Sequence, residues 1–332
     1  MIRIQAPSRL HFGLFSLAAD APRRNLDGEP VLPARRFGGV GLMVEEPGLV
    51  LLAEPASDWS ACGPAADRVL EFAKAFARER IQPMRFTFQQ APPEHAGFGT
   101  GTQLALAVAR ALAINSGRPE WNAESVAQKV GRGLRSAIGV HGFDRGGLIV
   151  EAGKLAGEAI APLLFHHRLP EAWRIVLVQA GSEPALHGGA ERAAFDNLQS
   201  NPELTDLLCR LVLLEMLPAL KAGDCQALGE AVYDFNARVG EAFAPIQGGR
   251  YCSALVAEMV RFVRSLGITG VGQSSWGPTV FAIVEDESRA VSVNNAIQKR
   301  FGPGFQTWRT RPSAGHEASR CPPSSSSSPD SS

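Results

Sequence analysis

The sequence predicts an α+β fold in two domains, and three observations carry that expectation. Short apolar runs bounded by Gly, Pro or charge crowd the first third. Segments of helical period separate the strands beyond residue 173, and 332 residues suffice for two ordinary cores. The expected boundaries are 1–165 for the first domain, 166–312 for the second, and 313–332 for a disordered Ser/Pro-rich tail.

IRIQA (2–6), LHFGLFSL (10–17), GVGLMV (39–44) and LVLLA (49–53) read as strands, being brief and apolar. The segment 20–39, with four arginines among Pro and Gly, is too long and polar for a hairpin turn and reads as a working loop. Residues 65–80 place Val69, Phe72, Ala73 and Phe76 on one helical face, and MRFTFQQ (84–90) alternates like a half-buried strand. Helices are expected over about 102–113 and 123–131, then a glycine-rich stretch ending in HGFDRGG (141–147) and the strand LIVE. WRIVLVQ (173–179) opens the second domain. Helical segments follow around 189–222, 225–241 and 251–265, then the buried strand TVFAIVE (279–285) and a helix over 287–300. The final residues, CPPSSSSSPDSS, carry too little apolar surface to offset the entropy of ordering.

Lys plus Arg and Asp plus Glu balance at 33 each, so nothing in the net charge points to nucleic acid as a partner. Five scattered cysteines, none spaced CxxC, argue against a disulfide framework or zinc module and fit a reducing cytoplasm. No stretch approaches the roughly 20 apolar residues of a membrane span, so no membrane partner is expected.

HAGFGTGT (95–102) precedes a run of small apolar residues. It is not a Walker A loop, because it lacks lysine, and no acidic ribose ligand follows it. Glycines still allow close backbone approach, Thr100 or Thr102 is placed to cap the helix, and a helix N-terminus favours an anion. A structural turn with an N-cap is the alternative.

With Pro93 ahead of Gly97, Phe98, Gly99, Thr100, Gly101 and Thr102, the loop resembles the GLGSSA-like segment of the GHMP superfamily of small-molecule kinases. APSRLHFGL and GITGVGQSSWGPTVFAIVE resemble that superfamily's first and last motifs, and the resemblance spans most of residues 1–310. It implies a GHMP-type two-domain fold, with a ribosomal-protein-S5-like N-terminal domain and a ferredoxin-like α/β sandwich at the C-terminal end. SRLHFGLFSL, RRFGGVGLMV, HAGFGTGTQLALAVARAL, GRGLRSAIGVHGFDRGGLIVEAGK and GQSSWGPTVFAI together resemble one member, the beta-ribofuranosylaminobenzene 5'-phosphate synthase family.

That family implies condensation of phosphoribosyl pyrophosphate with 4-aminobenzoate or 4-hydroxybenzoate, releasing carbon dioxide and pyrophosphate, in tetrahydromethanopterin biosynthesis and one-carbon metabolism. It also implies Mg²⁺ and a cytoplasmic homodimer. Kinases of the superfamily present an SGxD aspartate to activate a hydroxyl. Val140 and His141 stand where it is sought, with Asp144 a few residues on. The acceptor implied here is an aromatic carbon, activated by its para substituent.

Arg9 and His11 are candidates for holding phosphate and for proton transfer. Arg36 would reach phosphate from its loop. Arg132, Arg135, His141, Asp144 and Arg145 form the richest polar cluster. Within it, His141 is the candidate acid or base, and Asp144 a candidate for magnesium or for orienting a histidine. Thr102 and Glu191 are the candidate magnesium ligands, a surface salt bridge being the alternative for Glu191. Gln273, Ser274 and Ser275 are expected to line the site, with Trp276 placed to stack on a benzoate ring. An ATP-dependent kinase and a non-catalytic sensor on the same fold are the competing functions.

Overall fold

The computed structural model describes residues 1–16, 24–29, 31, 35–76, 81–180 and 201–321. Its strands form two sheets. The first holds β1 (Ile2–Ser16), β2 (Phe37–Pro55), β3 (Ser60–Cys62), β4 (Met84–Gln90), β5 (Leu148–Glu151), β6 (Leu163–His167) and β11 (Glu317–Arg320). Its main path runs β11-β1-β2-β4-β3; β5 pairs with the first part of β2, and β6 with β5. The second sheet, of β7 (Arg174–Gln179), β8 (Gly270–Gln273), β9 (Thr279–Val284) and β10 (Thr307–Thr310), is antiparallel in the order β10-β7-β9-β8.

The runs expected as four separate strands merge into two long ones, β1 and β2. Burial alternates along β1 up to Ala6 and then ceases to alternate, because its second half is covered on both faces. The register with β2 slips between Ala6 and Ser8 and again between His11 and Gly13. Such bulges re-aim side chains, which explains how consecutive residues of β1 reach one cavity.

Four helices cover the first sheet: α1 (Ala66–Phe76), α2 (Thr100–Asn115), α3 (Ala123–Lys129) and α4 (Ile138–Arg145). The last replaces the glycine-rich loop expected there. Ile138, Val140 and Phe143 are fully buried, so packing overrides the low helix propensity of Gly139 and Gly142. In the second unit α5 (Pro202–Leu211) passes through a π turn at Val212–Met216 into α6 (Leu217–Ala222). Then come α7 (Cys225–Gln247), α8 (Ala254–Ser265) and α9 (Glu287–Phe301). One apolar cluster belongs to both units, joining Leu10, Phe12, Val40 and Phe98 to Trp173, Ile175, Phe235 and Phe281. Among the described residues no helix is long and apolar enough to cross a membrane.

Residues 313–321, expected within the disordered tail, are paired with the first unit. Ser313 N–H donates to Met43 O at 2.9 Å, Gly147 N–H to Ser313 O at 2.8 Å, and β11 then pairs with Ile2–Gln5. The His316 ring stacks on Phe143 with centroids 4.2 Å apart. Truncation after Pro312 should therefore cost roughly 3 kcal/mol or more, from lost ladder bonds and packing. Removing only 322–332 should leave the melting temperature unchanged. Equal melting of both truncations would contradict this account of the C-terminus.

Candidate active site

A cavity of about 660 Å³ lies where the two units meet. The first unit contributes Arg9, His11 and Phe12 from β1, Phe37, and Arg132 to Ser136 from the α3–α4 connection. The second contributes Asn236, Val239 and Phe243 from α7, Arg250 and Tyr251 beyond it, and Gln273, Ser275 and Trp276 around the β8–β9 turn. The buried Asn236 ties these walls together. Its amide donates to Phe12 O at 2.7 Å and Gln273 O at 2.9 Å, and its oxygen accepts from Gln273 N–H at 2.9 Å.

Behind the cationic wall stands the glycine loop. Gly97 and Gly99 have φ of 95° and 68°, values that disfavour a side chain. A Cβ on Gly99 would sit 2.9 Å from Arg9 Nε, and one on Gly101 would sit 2.5 Å from an Arg68 guanidinium nitrogen. The loop thus makes room for arginines, and is not itself among the cavity-lining residues. Thr100 donates its hydroxyl to Pro93 O at 3.1 Å, Gly99 caps α2 with backbone alone, and Thr102 packs against Gly139. Arg68, ion-paired with Glu94, also faces Arg132. Arg132 lies 4.8 Å from the centroid of Phe72, and its pKa is lowered by burial and then by the Arg68 charge.

The described cavity wall thus presents Arg9, Arg132, Arg135 and Arg250, and no carboxylate. Arg250 is held by Glu241, whose carboxylate accepts from Nε at 2.7 Å and raises the guanidinium pKa. The aromatic part of the wall comes from Phe12, Phe37, Phe243, Tyr251 and Trp276. Phe243 and Trp276 meet edge-on with centroids 4.5 Å apart, and burial pushes the Tyr251 phenol up to about 12. Phe37 and Ser275 hold left-handed backbone, with φ of 69° and 55°. Two non-glycine residues in that region on one cavity wall mark a site where backbone strain is held in place by its surroundings.

Under Ser136 lies Glu151, fully buried on β5. Its Oε2 accepts from Ala137 N–H at 2.6 Å, and burial raises its pKa to about 7 despite the nearby Ser136, Arg9 and Lys154. His11 Nε2 is 3.2 Å from Ser136 Oγ; burial, then Arg9, holds His11 well below its ordinary pKa, so it is neutral. An ordinary glutamate titrates near 4.5, so between that pH and about 7 the folded protein keeps a proton the unfolded chain has released. Stability contributed by this group is present below about 4.5 and is lost as pH rises through about 7. Glu151→Gln should therefore gain stability on the native protein across that window, by no more than about 3 kcal/mol. Urea unfolding at pH 5 and pH 8 measures it, and a pH-independent difference would count against the buried carboxylate as the cause.

The structure brings Arg9, His11, Arg132, Arg135, Gln273 and Ser275 to one cavity. Ser274 stands just behind, donating to Gly97 O at 2.7 Å and accepting from His11 N–H at 3.1 Å. Two expectations are corrected. His141 is buried in α4 with Nε2 2.8 Å from Ala161 O and Nδ1 3.2 Å from Glu124, so it is a structural histidine away from the cavity. Asp144 accepts from Ala123 N–H at 2.7 Å and lies 3.4 Å from His316, which commits it to the start of α3 and the C-terminal segment. Arg36 is exposed, with its backbone bridged to Lys154, one residue before the cavity-lining Phe37. Glu191 lies outside the described residues. Among those described, no three His, Cys, Asp or Glu residues cluster to hold a metal, and a wall of arginines does not fit a protein-held Mg²⁺. Sequence reasoning missed Arg68, Glu151, Asn236 and the Phe243, Arg250 and Tyr251 wall. The only local signal was a lone acidic residue in the apolar run LIVE.

Comparison with known proteins places this geometry. A family model for the GHMP kinases C terminal matches residues 216–303. The chain is 30% identical over 327 residues to beta-ribofuranosylphenol 5'-phosphate synthase of Methanothermobacter thermautotrophicus, covering 91% of this chain and 93% of that protein. It is 29% identical to the synthase of the same name from Archaeoglobus fulgidus, covering 93% of this chain and 96% of that one. Among solved structures, homoserine kinase from Cytophaga hutchinsonii superposes with a TM-score of 0.64 at 13% identity, over 96% of each chain. Mevalonate diphosphate decarboxylase from Staphylococcus aureus superposes with a TM-score of 0.60 at 13% identity, over 96% of this chain and 99% of that one. These two show the GHMP kinase fold.

Proposed function

The chain belongs to the beta-ribofuranosylphenol 5'-phosphate synthase family, and from that premise we propose that it condenses phosphoribosyl pyrophosphate with 4-hydroxybenzoate or 4-aminobenzoate, releasing carbon dioxide and pyrophosphate. The observation that supports this most is the two-sided cavity, with arginines and no carboxylate among its described lining and five aromatic residues beside them. A kinase of this fold that activates an acceptor hydroxyl needs a base on that wall. A decarboxylating synthase needs countercharge for phosphate oxygens and a surface for an aromatic ring.

In this reading Arg9, Arg132 and Arg135 hold the diphosphate and 5'-phosphate, with Arg36 reaching in from the edge. The positive N-terminus of α2 stands behind them. Trp276 and Phe243 hold the ring, and Arg250, fixed by Glu241, takes its carboxylate. Fixed guanidiniums stabilise the leaving diphosphate as the anomeric carbon gains oxocarbenium character. The ring carbon bearing the carboxylate attacks, and loss of carbon dioxide restores aromaticity. Any Mg²⁺ would be carried by the substrate's diphosphate, where it would supply countercharge to the leaving group alongside these arginines. A place in tetrahydromethanopterin biosynthesis, in the cytoplasm and as a homodimer, completes the proposal.

Incubation with phosphoribosyl pyrophosphate, Mg²⁺ and ring-carboxyl-labelled 4-hydroxybenzoate or 4-aminobenzoate tests the reaction. Label is expected as carbon dioxide. Retention of all label with both acids, alongside ATP-dependent phosphorylation of a small alcohol, would replace the proposal with a kinase.

A further inference from the structure

Two buried side-chain amides join the cavity walls, and the reaction scheme uses neither. Asn236 holds the Gln273 backbone by two bonds of 2.9 Å. Gln273, buried at the end of β8, uses both ends of its own amide inside the protein. Its Oε1 accepts from Cys252 N–H at 2.8 Å, and its Nε2 donates to Ser275 O at 3.0 Å. These partners fix which end is oxygen, since one must meet an acceptor and the other a donor. Glycine makes the room: a Cβ on Gly277 would sit 3.0 Å from Gln273 Cδ and 2.7 Å from Cys252 Sγ, and one on Gly272 would run into Asn236 Oδ1.

The two bonds of the Gln273 amide reach the two halves of the aromatic subsite. Cys252 follows Arg250 and Tyr251, and the Arg250 backbone is tied to the end of α7 by Gln247 Nε2 at 2.8 Å. Ser275 precedes Trp276 and keeps a left-handed φ of 55°. It is held there from both sides, its N–H donating to His11 O at 3.0 Å and its carbonyl accepting from Gln273. A serine stays in that region only where its surroundings over-determine it. A buried amide costs more than an apolar side chain of the same size unless its bonds are made, and once made they fix geometry.

We infer that Gln273 is a positioning residue for the aromatic acid: it sets the spacing between Arg250, which takes the carboxylate, and Trp276, which holds the ring, and so selects a carboxylate attached directly to the ring. This rests on the functional reading above, which gives Arg250 and Trp276 those roles. That chemistry needs such a selection, because only a carboxylate on the attacked ring carbon can leave as carbon dioxide and restore aromaticity. An arylacetate of the same charge would fill the cavity unproductively.

The test measures binding of benzoate and phenylacetate by calorimetry, with inorganic pyrophosphate present to fill the phosphate side. Both acids lack the para donor and bind without reacting. One methylene in a fixed pocket is worth about 10- to 200-fold, so the native protein should favour benzoate by about tenfold or more. Gln273→Met removes both amide bonds at similar volume and should cut that preference to about twofold, while KM for phosphoribosyl pyrophosphate stays within about twofold of native. A merely structural role would weaken both acids and phosphoribosyl pyrophosphate together and leave the preference intact. If the methionine variant does not fold, Gln273→Glu replaces it, keeping the acceptor for Cys252 N–H and losing only the donor to Ser275 O. Its added charge acts on both acids alike, so the ratio still reads the spacing. No preference in the native protein, or a preference that the folded variant keeps, would overturn the inference. Failure of the native protein to release carbon dioxide from 4-hydroxybenzoate and 4-aminobenzoate is a different result. It would refute the functional reading and this inference with it.

Discussion

Arg132→Met should lower kcat/KM for phosphoribosyl pyrophosphate by about 10²-fold or more and stabilise the protein at the same time. Arg132 is packed over Phe72 and faces Arg68, and its Nε has no hydrogen-bond partner. Burial and like charge both lower its pKa, so the folded state carries the guanidinium at a cost that an uncharged side chain of similar length removes. Loss of a buried charge contact to a bound anion is worth about 2–5 kcal/mol. Kinetics with phosphoribosyl pyrophosphate varied, alongside urea unfolding, separates the two effects. An active Met variant, or one both inactive and less stable, would remove Arg132 from the phosphate site.

Phe281→Ala should destabilise the whole chain by roughly 3–5 kcal/mol, as expected for truncating a fully buried phenylalanine. The ring sits 5.0 Å, centroid to centroid, from Phe12 of the first sheet, inside the cluster that both units share. Loss at Phe281 should therefore lower the unfolding midpoint of both sheets together. Hydrogen exchange that weakens only β7–β10 while β1 and β2 keep native protection would show the two units to be independent.

Apolar runs and helical periods predict both sheets and most helices, since each depends on neighbours in the chain. The merging of the first strands does not show, because the bulges at Ala6–Ser8 and His11–Gly13 depend on pairing with β2. Strand β11 is short and exposed along its length, with no apolar face to betray it, and its partner β1 defines it. In the site, Arg9, His11, Arg132 and Arg135 stand out because glycines flank them or because they interrupt apolar runs. His141 and Asp144 stand out for the same reason, yet they serve α3, α4 and the C-terminal segment. Composition cannot separate the two groups, because the distinction lies in which face of α4 meets the core. Arg68 reads as the polar side of an ordinary amphipathic helix until α2 places Gly101 against it. The glycine loop reads as a direct phosphate cradle, and in the structure its glycines seat the arginines.

On the proposed function, this protein expels diphosphate and does not transfer a phosphoryl group. Phosphorus NMR of the protein with phosphoribosyl pyrophosphate, 4-hydroxybenzoate and Mg²⁺, with ATP omitted, measures this directly when paired with carbon dioxide trapping. One pyrophosphate per carbon dioxide is expected, with a product whose ribose 5'-phosphate is retained. No pyrophosphate under these conditions, with a phosphoryl group moved to an alcohol once ATP is added, would contradict it.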